Sequence, residues 1–151
     1  MANWYGTARS NYFKVKDMAA FNEWVASFDD LKVVTRTLEQ DSKEVALGRY
    51  QVSEVLVMIH PSEFSDSGAW PSYRTDAEGE EIDVELTEEL VEHLSEGEVA
   101  IMMEVGAEKL RYLTGYAQAV AWNGKVITLS IDDIYEQALQ AFSIQPTRAE
   151  Y

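Results

Sequence analysis

The sequence predicts a single α+β domain over residues 1–151, with an antiparallel sheet of about six or seven strands and about three helices packed on it. Three observations lead to this prediction. Short β-prone runs alternate with segments whose apolar residues recur at helical spacing. The pair Asn123-Gly124 stands between two β-prone runs, which is typical of a hairpin turn. The chain has 151 residues, 46% of them hydrophobic, which is sufficient for one core.

The N-terminal half is organised around one helix. Asp17 is a suitable N-cap, and apolar residues follow it at spacings of three, four and three, as on one face of a helix: Met18, Phe21, Val25 and Phe28. We therefore expect a helix over residues 18–28, preceded by a strand near residues 9–16. The β-prone runs that follow predict strands over residues 31–38, 44–51 and 54–60, and then a loop over 62–75.

The C-terminal half begins with a second helix. Leu86, Leu90 and Leu94 recur every four residues, which predicts a helix over residues 86–96 that ends at Gly97. Apolar runs predict strands over residues 99–105, 112–122, with Gly115 as a candidate bulge, and 125–130. A final helix is expected to begin at Ser130, with Asp133 completing a capping box. Its apolar stripe consists of Ile131, Ile134, Tyr135, Ala138 and Phe142.

Net charge is the most unusual property of the chain. It has 12 Lys and Arg against 27 Asp and Glu, a formal net charge of −15. Nucleic-acid phosphates and anionic membranes repel such a protein, so we expect neither as a direct partner. The sequence has no apolar run long enough for a membrane span. Its first residues lack the pattern of a signal peptide, so we expect a cytoplasmic location.

Most of the charge lies in residues 76–98, which we name the acidic tract. It holds eleven acids and no Lys or Arg, so it carries −11 of the −15, and the rest of the chain carries −4. On a helix, five of its acids would share the face opposite the leucines: Glu85, Glu88, Glu89, Glu92 and Glu96. Neighbouring turns would hold these carboxylates about 5–6 Å apart.

This spacing allows two interpretations. A row of carboxylates can imitate the charge density of nucleic-acid phosphates and occupy the basic groove of another protein. The alternative is a solvated helix face that only aids solubility. Two aromatic residues in the loop before the tract are candidate apolar anchors at an interface. The predicted partner-binding residues are therefore Trp70, Tyr73, Glu78, Glu80, Glu81, Asp83, Glu85, Glu88, Glu89, Glu92 and Glu96.

Motifs of catalysis and metal binding are missing from the sequence. There is no cysteine, and His60 and His93 are the only histidines. We find no phosphate-binding glycine loop, no nucleophile elbow and no zinc-binding His pair. The acids that begin the tract alternate as in a calcium loop, but Glu81 and Thr87 occupy the positions where that loop needs Gly and Glu. We therefore predict no catalytic residue, no cofactor and no metal.

Four segments of the chain resemble a group of small acidic proteins encoded by bacteriophages and plasmids: residues 8–17, 68–74, 103–113 and 132–135. Small acidic proteins of mobile elements often resemble counter-defence factors, which block host nucleases as anti-restriction or anti-CRISPR proteins. The resemblance therefore implies a protein that acts in the cytoplasm of a bacterial host cell. It assigns no role to any particular residue.

The leading hypothesis is a non-enzymatic inhibitor that binds the basic surface of a host nucleic-acid-binding defence protein through the acidic tract. A second hypothesis is a structural or self-assembling module of a phage or plasmid without nucleic-acid mimicry, and a homodimer would fit it. A third is an enzyme that uses carboxylates or one of the two histidines. Salt dependence separates the first two, because ionic contacts weaken with salt and apolar contacts do not.

Overall fold

The computed structural model of the chain describes residues 4–61, 68–109 and 112–149. These residues form eight strands and four helices, which confirms the α+β class. The strands are β1 (Trp4–Ser10), β2 (Leu31–Thr37), β3 (Val55–Pro61), β4 (Tyr73–Thr75), β5 (Glu81–Asp83), β6 (Val99–Glu108), β7 (Tyr112–Ala121) and β8 (Val126–Ser130). The helices are α1 (Met18–Ala26), α2 (Lys43–Ala46), α3 (Leu86–Val91) and α4 (Asp133–Phe142).

The strands form three antiparallel sheets, whereas the sequence predicted one. The largest sheet has the order β1-β6-β7-β8, while β2 pairs with β3 and β4 pairs with β5. Contacts outside the ladders join the first two sheets, since the Ile59 amide of β3 donates to the Ser10 hydroxyl at 2.9 Å. The strands therefore pack closely without one continuous ladder.

The first strand lies earlier in the chain than predicted. β1 ends at Ser10, and the alternating residues after it form only isolated bridges, from Phe13 to Val57 and from Val15 to Leu94. Phe13 and Val15 are both buried. The alternation that suggested a strand over residues 9–16 therefore reflects alternate burial and not one continuous strand. Phe13 pairs with β3, whereas Val15 pairs with the segment that follows α3.

Helix α1 forms where its periodicity predicted. The Asp17 carboxylate caps it by accepting a hydrogen bond from the Ala20 amide at 3.1 Å. Phe21 and Val25 are buried, and Phe28 is also buried although the helix ends before it. The predicted stripe is therefore correct, and only the end of the helix differs.

The strand predicted over residues 44–51 is wrong. Residues 43–46 form the short helix α2. The β2–β3 pairing explains the difference, because Leu38 closes that ladder directly with Glu54 (amide to carbonyl, 2.8 Å) and with Ser53 (carbonyl to amide, 2.8 Å). The intervening residues have no strand left to pair with, and Leu47 is 78% exposed.

The hairpin at Asn123-Gly124 is confirmed. It joins β7 to β8, and Gly124 has a positive φ of 89° that suits the turn. Gly115 is not a bulge, because it pairs in regular register with Val105. A Cβ atom at Gly115 would lie 3.0 Å from the Ile131 Cγ2 atom, so close packing of Ile131 explains this glycine.

The hydrophobic core lies on one face of the four-stranded sheet. Ala100 and Met102 contribute from β6, while Phe21, Ile59 and Leu90 come from α1, β3 and α3. This arrangement fixes the position of the acidic tract, since the buried leucines of α3 attach it to the core.

Helix α4 packs on the sheet only at its start, where Ile134 lines a groove together with Met103 and Val105 of β6. None of its residues is buried. The predicted capping residues do interact, because the Ser130 amide donates to the Asp133 carboxylate at 2.8 Å. However, Asp132 rather than Ser130 is the N-cap residue of this helix. Part of its apolar stripe stays exposed at Ile134 and Phe142, whereas Tyr135 is half-buried, with the central guanidinium carbon of Arg148 4.0 Å from its ring centroid.

Candidate protein-binding site on the acidic tract

The acidic tract begins in a tight hairpin between β4 and β5. The Asp76 carboxylate accepts hydrogen bonds from the amides of Glu78 and Glu80, both at 2.9 Å. Gly79 has a positive φ of 85°, which closes the turn. One acid of the tract thus organises the backbone that displays the others. A turn of Asp, Gly and polar residues is the sequence signal for this arrangement.

Helix α3 displays the second part of the tract. Leu86 and Leu90 are buried, so most of the acids beside them face outward. Glu88 and Glu89 lie in the first turn, where the positive end of the helix dipole favours their charge. Glu85 is the N-cap residue and does not cap with its side chain, and it is exposed.

The helix is shorter than the predicted span of residues 86–96. After Val91 the backbone continues in tight turns, in which each amide donates to the carbonyl three residues earlier, and Leu94 then bridges to Val15. The Ser95 amide donates to the Lys14 carbonyl at 3.1 Å. Pairing with the segment before α1 therefore ends the helix. Leu94 is buried in the core, but it lies in a turn and not in α3. The predicted helical row of carboxylates therefore ends before residue 96.

Eight of the eleven acids of the tract are exposed. The described residues give none of these eight an ion-pair partner. All eight belong to the predicted partner-binding set: Glu78, Glu80, Glu81, Asp83, Glu85, Glu88, Glu92 and Glu96. The hairpin, α3 and the turns after it thus display a surface of uncompensated negative charge.

Glu89 differs from its neighbours in facing inward. Its carboxylate accepts a hydrogen bond from the Trp24 indole at 2.9 Å and pairs with the Arg74 guanidinium. Arg74 also lies over the Phe28 ring, with its central carbon 5.7 Å from the ring centroid. We therefore assign Glu89 a structural role, linking α3 to α1 and β4. No local sequence pattern indicated Arg74 and Trp24 as its partners, because they lie 15 and 65 residues away in the chain.

The two predicted aromatic anchors have different environments. Tyr73 is 50% exposed on β4, next to the acidic hairpin. Trp70 is partly buried against the core, and its amide donates to the Glu104 carboxylate at 2.8 Å. The Trp70 indole N–H is buried and has no hydrogen-bond partner among the described residues. Tyr73 is therefore the anchor that a partner can reach directly.

The last acid of the tract is also inside the protein. Glu98 is 5% exposed and accepts hydrogen bonds from the Tyr50 hydroxyl at 2.7 Å and the Lys14 amide at 3.0 Å. Arg49 lies 3.6 Å from the same carboxylate. Burial, followed by the hydrogen bond to Glu98, raises the pKa of the Tyr50 phenol above its ordinary value. Glu98 thus anchors residues 49–50 and does not belong to the exposed acidic surface.

Both histidines make close contacts within the protein. His93 packs against Phe21 and Trp24, with ring centroids 5.8 and 5.1 Å away, and burial lowers its pKa. The His60 Nδ1 atom lies 2.7 Å from the Pro61 carbonyl oxygen. Within residues 4–61, 68–109 and 112–149, no group of three or more acids or histidines is placed to hold a metal ion.

Comparison of the chain with models of protein families, with curated proteins and with solved structures found no match. The resemblance to acidic phage and plasmid proteins therefore stays a prediction. Of the helices in the described residues, none has the length and hydropathy needed to cross a membrane.

Proposed function

We propose that this protein is a non-enzymatic inhibitor from a phage or other mobile element that acts in the cytoplasm of a bacterial host. Its target is a host defence protein that binds nucleic acid, as in restriction or CRISPR systems. The acidic tract occupies the basic groove in which that target holds nucleic-acid phosphates. The complex forms between proteins and needs no nucleic acid.

The observation that carries this proposal is the set of eight exposed carboxylates without a cationic partner in the described part of the chain. A solvated surface usually intersperses both signs of charge. Here Arg74, the base closest in sequence to the tract, is already paired with Glu89. The lysines and arginines of a nucleic-acid groove would supply the missing positive charge.

The support beneath these carboxylates also favours recognition. Both displaying elements are held by internal contacts, the hairpin by Asp76 and α3 by its buried leucines. A preorganised surface loses little conformational entropy on binding, which leaves more of the electrostatic attraction as affinity. Tyr73 and the 41% exposed Ile82 add apolar contact area beside the charges.

Capture from bacterial lysate tests the proposal. The purified chain serves as bait after nuclease treatment, and bound proteins are eluted with a salt gradient and identified by mass spectrometry. We expect a nucleic-acid-binding complex that is retained at low salt and released as salt rises. Added nucleic acid should compete with the chain for the captured target. Capture that persists unchanged at high salt would contradict electrostatic mimicry.

Matched variants then locate the binding surface. The variant Glu85→Gln/Glu88→Gln/Glu92→Gln removes three charges from the tract, and Glu23→Gln/Glu39→Gln/Asp41→Asn removes three exposed charges elsewhere. Both change the net charge by the same amount, from −15 to −12. We expect the first to weaken target binding about tenfold or more, and the second to change it little. Equal effects of the two variants would show that only net charge matters.

A further inference from the structure

The four-stranded sheet has a second face that no described element covers along most of its area. Side chains alternate between the two faces of a strand. Since Ala100 and Met102 point into the core, the residues that alternate with them, and their partners in register, form the opposite side, which we name the outer face. Its most exposed large apolar members are Tyr5, Met103, Val105, Leu113, Ile127 and Leu129.

The chemistry of the outer face contrasts with the rest of the protein. Its register positions on the four strands hold no acid and one base, Arg9, in a chain whose net charge is −15. Its larger side chains are open to solvent: Leu113 is 69% exposed, Ile127 is 73% exposed and Leu129 is 56% exposed. Soluble monomers rarely leave an apolar patch of this extent uncovered.

Helix α4 adds a second apolar surface, of which Ile134 and Phe142 are open to solvent. It has ten residues, and none is buried. Ile134 is 59% exposed and Phe142, about two turns further, is 71% exposed. Helices this short are marginal in water unless an apolar face packs against something. The start of α4 borders the outer face, where Ile131 and Ile134 join Met103 and Leu129 around a groove of about 420 Å³.

The outer face and the apolar side of α4 are more complementary to each other than to a charged partner, because both are apolar. Both are apolar, and both belong to the same chain, so a twofold arrangement of two copies can cover both at once. About ten large apolar side chains there are roughly half exposed or more, each offering on the order of 80 Å², so the area approaches the roughly 800 Å² per partner of a standard interface.

The position of the acidic tract is compatible with such a pairing. Helix α3 packs on the core side of the sheet, as Leu90 and Met102 share the core cluster. The outer face is on the other side. Two copies that meet through their outer faces therefore keep their acidic tracts apart, which limits the charge repulsion between them.

We propose that two copies of this chain form a homodimer through their outer faces, with the apolar stripe of α4 from each copy in the same interface. The occupant of the groove is thus a second copy of the chain. The inference rests on the sheet face and α4, and it stands independently of what the acidic tract binds.

Sedimentation equilibrium of the purified full-length chain tests the proposal over a range of protein concentrations. We expect a species with twice the mass of the chain, which persists at high salt because apolar contacts are not screened. A monomer at every concentration would overturn the proposal and would leave a different protein as the partner that covers the outer face.

Two matched pairs of variants locate the interface. Ile127→Glu places a charge on the outer face, and Thr128→Glu places one next to it on the same strand with the side chain on the opposite face; both residues are exposed. We expect Ile127→Glu to raise the dimer dissociation constant about tenfold or more. Thr128→Glu should leave it nearly unchanged.

The second pair tests α4 in the same way. Phe142→Glu should weaken the dimer, whereas Ala141→Glu, at the adjacent exposed position, should have little effect. Circular dichroism checks that all four variants remain folded, which the exposure of these side chains leads us to expect. A dimer that responds equally to both members of each pair would overturn the assignment of the interface.

Discussion

Two surface regions of similar length have opposite character. The acidic tract has 23 residues with eleven acids and no base, while residues 112–131 have a single charged side chain, Lys125, among 20 residues. Both regions are largely exposed. Exposed charged side chains are solvated and attract opposite charge through ionic contacts that salt screens, whereas large apolar surfaces in water favour association. The exposed acidic tract is therefore expected to bind through ionic contacts, and the exposed apolar region through apolar contacts.

The regions also differ in how they are attached. The tract is fixed from below by buried leucines and by the Glu89 pair, so its display is part of the folded core. The β7–β8 hairpin is fixed by strand pairing, and α4 follows it without burying a residue. We infer that a single copy of the chain already holds the acidic surface in place. Helix α4, in contrast, would be packed against apolar residues only in the proposed homodimer.

The largest expected effect concerns the anchor of the tract. Leu90 is fully buried, so Leu90→Ala should lower the free energy of unfolding by about 3 kcal/mol through lost burial and the cavity left behind. The control Leu47→Ala, at a side chain 78% exposed, should change it by less than about 0.5 kcal/mol. Urea unfolding measures both. Similar effects of the two variants would mean that the tract is not anchored in the core.

A smaller effect separates two adjacent acids of α3. Glu89→Gln weakens the contact with Arg74 inside the protein, so we expect a loss of about 1 kcal/mol or more in the free energy of unfolding. Glu88→Gln, at an exposed position with no ion pair among the described residues, should change stability little. For target binding we expect the reverse order, with Glu88 the more sensitive position. If the same variant had the larger effect on both stability and target binding, Glu89 would not be an internal carboxylate with a role distinct from that of the exposed Glu88.

The smallest effect is expected at Tyr116, a β7 residue that lines a cavity together with Glu85 and Leu86 of the tract. Partial burial, and then the negative charge of Glu104, raises the pKa of its phenol to about 12. The side chain is 36% exposed, so solvent screens much of the resulting stabilisation. The unfolded chain ionises first, from about pH 10, so the neutral phenol stabilises the fold below that pH. This contribution is lost as pH rises towards about 12.

Comparison with Tyr116→Phe measures this contribution. The wild type should lose more stability than the variant between about pH 10 and about pH 12. Unfolding in urea at a series of pH values gives the difference directly. Parallel curves for the two proteins would contradict the raised pKa. Tyr50 titrates in both proteins, so its contribution cancels in the difference.

Local sequence signals predicted much of the fold. The Asp17 cap, the stripe of α1 and the Asn123-Gly124 turn each depend on residues close in the chain, and all three were correct. The prediction for residues 44–51 was wrong because direct closure of the β2–β3 ladder decided their structure. The alternation of residues 12–16 was misleading because Phe13 and Val15 pair with distant elements.

The candidate site was predicted in the same uneven way. The concentration of acids was visible in the sequence, but the inward turn of Glu89 and Glu98 was not, because their partners lie far away in the chain. Glu96 left the helical row because Leu94 bridges to Val15. The uncovered outer face could not be predicted from the sequence. Amphipathic periodicity shows which side chains favour burial, but it does not show which element packs against them.

The most direct test measures both associations on the same protein as salt rises. Target captured by the chain is quantified across a salt gradient, and the mass of the free chain is determined by sedimentation under the same conditions. We expect the target to be released while the chain remains a dimer, because one contact is ionic and the other is apolar. Retention of the target at high salt, or dissociation of the dimer as the target is released, would contradict the division between the two surfaces.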